Sequence, residues 1–238
     1  MNKKKVGSYA ILGVLFFLPV AFLLMLYPST HNYQPLDIVK AGVLDLEAFT
    51  SDVEEPIVLK DHITILGFLG EKPMSKTIEA SNLKELIYDK FKGFKKFQIV
   101  IVMPKGTEAE VTKLKAEVNS YDDIRFWHFV YGNPTDIKRI YFSLKSRTEL
   151  NTDLSSHDVF IIDKDLNQRG RIDDRTDNEL GKGTAVYGLS GYNCVEVAEI
   201  KNKMSDDLRI VFTEYRQKRK GEFNSEIRRA RDLKGISK

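Results

Sequence analysis

The stretch ITILGFLGEKPMSKTIEASNLKELI, Ile63 to Ile87, holds three signals in a row. Its first eight residues are apolar, rich in strand formers and too short for an interior helix, so they read as a buried strand. EKPMSK is a polar turn carrying Pro73. From about Lys76 the pattern turns helical and runs to Phe91, with Ile78, Leu83, Leu86 and Ile87 close to one face. Strand, short polar turn, helix is the opening half of a β-α-β unit.

Downstream the alternation continues. FQIVIVMP, Phe97 to Pro104, is apolar on both faces, as a central parallel strand should be. EAEVTKLKAEVNSY reads as a helix and IRFWHFVYG as a strand. PTDIKRIYFSL is a short helix opening on Pro134, a residue favoured at a first helical position. HDVFIIDKDLNQRGRIDD gives two strands joined by a polar turn. A helix is expected from about Cys194 to Lys218, with Val197, Ile200, Met204, Leu208, Val211 and Tyr215 as its core-facing seam. The order β-α-β-α-β-α-β-β-α predicts an α/β three-layer domain. Its bounds are set at residues 55–219, after a linker and N-terminal extension at 28–54.

Upstream, Val6 to Tyr27 contains no charged residue, and at about 1.5 Å rise per residue it is long enough for the roughly 30 Å hydrocarbon layer. A cleaved signal peptide would have a shorter apolar core and a small-residue cleavage site, so residues 6–27 are expected to be an uncleaved, single-pass anchor. Lys3, Lys4 and Lys5 place residues 1–5 in the cytoplasm and the soluble domain on the other side of the inner membrane. A net charge of +3 does not call for a nucleic-acid partner. The excess is terminal: from Arg216 to Lys238 nine Lys or Arg face three acids. The tail, residues 220–238, is either a solvated helix extension or a contact for anionic headgroups or acidic proteins.

Cys194 is the only cysteine, so the chain cannot cycle a dithiol by itself. Such a thiol is either a small buried apolar group or a reactive one, and its place near a helix start leaves both open. His31, His62 and His128 have no metal-ligand spacing. The acidic run RIDDRTDNE lacks the glycine and bidentate spacing of an EF-hand and reads as a salt-bridged loop. GKGTAVYGLSGY is glycine-rich but lacks the order of a phosphate loop.

ILGFLG, the Pro73 turn, NLKELIYDKF, IVIVMP and above all HDVFIIDKDLNQRGRIDD resemble the Sco/SenC copper-insertion factors, which are membrane-anchored thioredoxin-like proteins. The resemblance runs from about Asp37 to Tyr215. It implies a thioredoxin-like fold, an extracytoplasmic domain and a place in cytochrome c oxidase assembly. In that family the strand-to-helix turn carries two cysteines, and a histidine before a late strand completes a copper site. His157 matches the histidine, while Lys72 and Lys76 stand at the cysteine positions. Thiolates favour Cu(I) and carry thiol–disulfide exchange, whereas ammonium groups only donate and repel cations. The expectation is therefore a non-catalytic binding or scaffold partner with no cofactor. Two alternatives stay open: residual copper at His157 and Met74, and a thiol oxidoreductase or peroxidase using Cys194.

Overall fold

The computed structural model describes residues 12–22, 35–118 and 124–221. It divides into two compact units, one ending at Gln34 and the other starting at Pro35. In the first, residues 12–22 form helix α1, whose large apolar side chains, Leu15, Phe16 and Phe17 among them, are exposed. Among the described residues no helix is long and apolar enough to cross a membrane. The expected anchor, residues 6–27, extends outside the described residues at both ends, and so does the tail beyond residue 221.

The second unit is built on a sheet whose strands lie in the order β1 (Asp37–Lys40), β7 (Gln168–Gly170), β6 (Asp158–Ile162), β3 (Ile63–Phe68), β4 (Phe97–Pro104), β5 (Trp127–Gly132), β2 (Thr50–Ser51). Its centre is β3, β4, β5 and β6. β3 pairs parallel with β4 and β4 with β5, while β6 returns antiparallel to β3. Every residue of β3, β4 and β6 is buried, because both faces of the sheet are covered. Alternation then sorts the side chains. Ile63, Ile65, Ile99, Ile101 and Ile161 face one core, with α2 (Thr77–Leu83), α3 (Asp89–Phe91), α4 (Glu108–Val118) and α7 (Ser205–Lys220). Leu66, Phe68, Val100, Val102, Phe160 and Ile162 face the other, with α5 (Pro134–Phe142). This is the three-layer, mixed α/β arrangement of a thioredoxin-like domain.

Several features depart from the pattern read in the sequence. The domain reaches back to Pro35: β1 (Asp37–Lys40) pairs antiparallel with β7 (Gln168–Gly170), and β2 (Thr50–Ser51) with β5. Residues 35–54, assigned by sequence to a linker and extension, also bury Val43 and Leu46. Ile78 is exposed, because the buried face of its helix is Ala80, Leu83 and Ile87, and at about 100° per residue Ile78 lies far round from Leu83. A π turn, Lys84–Tyr88, joins α2 to α3. The last helix does not start at Cys194, which follows β8 (Tyr192–Asn193) in a turn. A second π turn, Glu199–Met204, precedes α7 and leaves Val197 exposed while Ile200, Met204, Leu208 and Val211 are buried.

Between β7 and β8 the chain makes an excursion from Arg171 to Leu189 that carries the short helix α6 (Asp177–Gly181). The Arg171–Glu179 run is salt-bridged as the sequence suggests, but two of its members are rooted in the domain. Arg171 pairs with buried Asp207 at 2.9 Å, and Asp174 is itself buried beside Arg171 and Lys203.

Candidate functional site

The turn at the end of β3 is fixed by backbone geometry. Gly70 has φ +72, and an added Cβ would lie 2.5 Å from the Asp153 carbonyl oxygen, so only glycine fits without strain. The Glu71 amide donates to that same carbonyl, which holds the 151–156 loop against the turn. Pro73–Lys76 then forms one turn of 3-10 helix with Pro73 buried beneath it. Its carbonyls are satisfied locally. Ser75 donates both its amide and its hydroxyl to the Lys72 carbonyl, and the Thr77 hydroxyl donates to that of Met74.

The two lysines end in different places. Lys72 is exposed on the turn. Lys76 is folded back, with Nζ 3.5 Å from Oε1 of Glu79, a carboxylate that is 7% exposed. Nδ1 of His157 lies 3.1 Å from that same Oε1. One buried carboxylate oxygen thus joins the lysine at a cysteine position to the histidine at the ligand position. Another carboxylate stands close by: Asp153 is held below the usual carboxylate range, burial being outweighed by bonds from the Ser155 hydroxyl and amide and by the Lys76 charge. With its proton on Nδ1 and donated to Glu79, the His157 ring would keep its Nε2 lone pair, and the side chain is about half exposed, at 48%.

Cys194 lies directly behind. Its amide donates to the His157 carbonyl at 2.8 Å, and its own carbonyl accepts from Asn82 Nδ2 at 2.9 Å. The residue is 3% exposed, and burial, with Glu79, Asp158 and Glu199 adding, pushes the thiol far above its ordinary value. Such a thiol forms its nucleophilic thiolate with difficulty. The crevice over it, lined by Glu79, Ala80, Leu83, Trp127, Val159 and Cys194, has a volume of about 10 Å³, enough for one water at most. Trp127, whose buried indole N–H has no partner among the described residues, lines the same crevice.

Of the residues singled out in sequence, the structure joins Lys76 to His157 and sets Cys194 behind them. Met74 stays exposed on the turn beside Lys72. Among the described residues no group of three or more His, Cys, Asp or Glu side chains is arranged to hold a metal ion. As a copper centre the donor set fits poorly: the turn offers no thiolate, and the ammonium of Lys76 lies on the carboxylate that His157 also contacts. Neither remaining described histidine joins it. His62 Nδ1 lies 3.0 Å from the Lys60 carbonyl. His128 on β5 is pushed down by burial, with His62 and Lys115 adding. His31 is outside the described residues.

Glu79 is the member that sequence reading missed. Its place three residues after Lys76 is the one local sign, since i,i+3 pairs meet on a helix. Asp153 and the Cys194 backbone contact have no such sign. A larger groove, about 380 Å³, lies elsewhere, between residues 46–58 and β5.

No protein-family model matches the chain, and no curated protein matches it. Solved structures similar to it include a SCO1/SenC family lipoprotein from Bacillus anthracis str. Ames, at 15% identity and TM-score 0.44, covering 74% of this chain and 97% of that one. ScoI from Bradyrhizobium japonicum, solved with copper bound, aligns at 14% identity and TM-score 0.40 over 72% of this chain and 99% of its own. The thioredoxin domain of a thiol-disulfide oxidoreductase from Bacteroides vulgatus aligns at 17% identity and TM-score 0.39 over 65% and 100% respectively. Likeness at this level transfers neither ligands nor residue roles.

Proposed function

We propose that the chain is a single-pass membrane protein whose extracytoplasmic thioredoxin-like domain acts as a non-catalytic binding or scaffold partner in the assembly of a copper-containing respiratory oxidase. The setting comes from the sequence resemblance to Sco/SenC factors. The observation that carries the non-catalytic part is the Lys76–Glu79–His157 cluster. Where sulfur would serve metal transfer or disulfide exchange, the chain places a lysine ion-paired to a buried carboxylate. Cys194, the one thiol, is buried and its ionisation is disfavoured, which speaks against thiol chemistry at that residue.

A second reading, residual copper at His157 with Met74, is favoured by one detail. A carboxylate on one ring nitrogen is how proteins orient an imidazole to present the other nitrogen to a metal, and Glu79 stands in that relation to His157. Copper titration of the purified full chain in detergent, beside His157→Ala and with a disulfide-reduction assay, separates the readings. The scaffold role predicts no copper binding beyond that of the variant and no reduction of a disulfide substrate. Stoichiometric copper lost in His157→Ala would establish the second reading, and unaided disulfide reduction would refute the first.

A further inference from the structure

The Arg171–Leu189 excursion is a small, self-stapled arm. Arg171 and Leu189 exchange backbone bonds at 2.8 and 2.9 Å, and the Asp174 amide donates to the Tyr187 carbonyl, so the two legs run as a short antiparallel pair. Arg175 clasps the Asp173 carboxylate and donates to the Thr184 carbonyl. Thr176 and Glu179 close a capping box on α6, and the Tyr187 hydroxyl donates to Glu179. These bonds lock the arm's polar groups onto one another. Its apolar ones, Ile172, Leu180, Val186 and Tyr187, are left in the open, with Val186 61% exposed. Singly exposed apolar residues are ordinary; a braced arm in which every large apolar side chain between its two roots is exposed, and only Leu189 at the root is buried, is not.

The arm's root is also where the chain enters the domain. Asp37 at the start of β1 pairs with Gly170, its carboxylate accepts from the Ile172 amide at 3.2 Å, and the Leu36 carbonyl accepts from Arg169. If the anchor ends at Tyr27, residues 28–34 at about 3.4 Å each hold this entry point within about 24 Å of the bilayer. We propose that the arm is a second membrane contact: Leu180, Val186 and Tyr187 enter the headgroup and upper acyl region of the bilayer that holds the anchor, fixing the domain's orientation. The inference rests on the anchor proposed above. The arm sets Asp173, Asp177 and Glu179 against Arg175 and Lys182, so its charges nearly cancel. Attraction to anionic lipid is therefore not its basis, and the contact holds on zwitterionic lipid.

The test uses the full chain carrying Cys194→Ala and single reporter cysteines, Leu180→Cys, Val186→Cys, or the exposed Lys113→Cys on α4, which connects β4 to β5, away from β7 in the strand order. Each is labelled with a polarity-sensitive fluorophore and reconstituted in phosphatidylcholine vesicles with or without brominated acyl chains. Probes at 180 and 186 should shift to the blue and be quenched roughly two-fold by bromine at ~5–10 Å depth, while the probe at 113 is unchanged. Water-like, unquenched emission at 180 and 186 from chains that float with the vesicles overturns the arm contact and leaves the anchor standing. Failure to float overturns both. Shielding that persists in detergent, without bromine quenching, assigns the arm to a second copy or another protein and overturns the membrane contact.

Discussion

Removing the Arg169 charge should be among the most damaging single changes in the domain. Arg169, on β7, is 1% exposed, and its guanidinium lies between the buried carboxylates of Asp163 and Glu214. It also donates to the Leu36 carbonyl at 2.7 Å, so it ties α7 and the N-terminal strand to the β6–β7 hairpin. Arg169→Met keeps most of the side-chain bulk but leaves two carboxylates facing each other out of water, and a backbone carbonyl without its donor. Breaking a buried ion pair from one side costs about 3–5 kcal/mol. For a domain of this size that is a fall in Tm of roughly 6–20 °C. Thermal and urea unfolding of the full chain in detergent, followed by circular dichroism, measures it.

A second variant tests the same pairing. The double variant Arg169→Met/Glu214→Leu should be more stable than Arg169→Met alone, since one unpaired charge is gone while Asp163 keeps its bonds from the Asn167 amide and side chain. Lys218, which loses Glu214, is a partly exposed partner worth little. A loss below about 1 kcal/mol, or a double variant equal to the sum of the singles, would refute the reasoning.

Three other outcomes are expected. Cys194 should resist a maleimide in the folded chain and react fully in denaturant, because burial holds it as a thiol; rapid labelling of native protein at neutral pH would reopen thiol chemistry. Lys76→Met should raise the titration midpoint of the Asp153 carboxyl, read by NMR, since Lys76 helps hold that value down. The depressed group contributes stability above its unfolded value that is lost as the pH falls through the folded one, and the variant should lose it at higher pH; an unmoved midpoint would detach Lys76 from the cluster. Gly70→Ala should cost about 1–3 kcal/mol, from the positive φ and the contact with the Asp153 carbonyl, and should loosen the turn that carries Lys72 and Lys76; a neutral effect in urea unfolding would show that the turn relaxes freely.

The strands and helices of the central unit were legible because their signals are local. The unbroken apolar runs of β3 and β4 record a sheet covered on both faces, and the polar turn between β6 and β7 records its hairpin. The replacement of sulfur by ammonium at residues 72 and 76 is likewise a matter of composition, and so is the uncharged run at 6–27. Pairing was not legible. β1 and β2 join the edges of the sheet through partners more than 70 residues away, and nothing in DIVK or TS names them. Two π turns, each widening its helix beyond the 3.6-residue period, fall in the helices where sequence had placed Ile78 and Val197 on core faces.

The candidate site divides in the same way. Lys76 and Glu79 are neighbours on one turn, but His157, Asp153 and Cys194 reach them only because β6 returns antiparallel beside β3 and β8 closes over its end. Residue identity alone determined which chemistry the turn could no longer offer. Where the lysine's charge went, and whether the single thiol met water, depended on contacts between segments distant in the chain, and such contacts exist only once the sheet has formed.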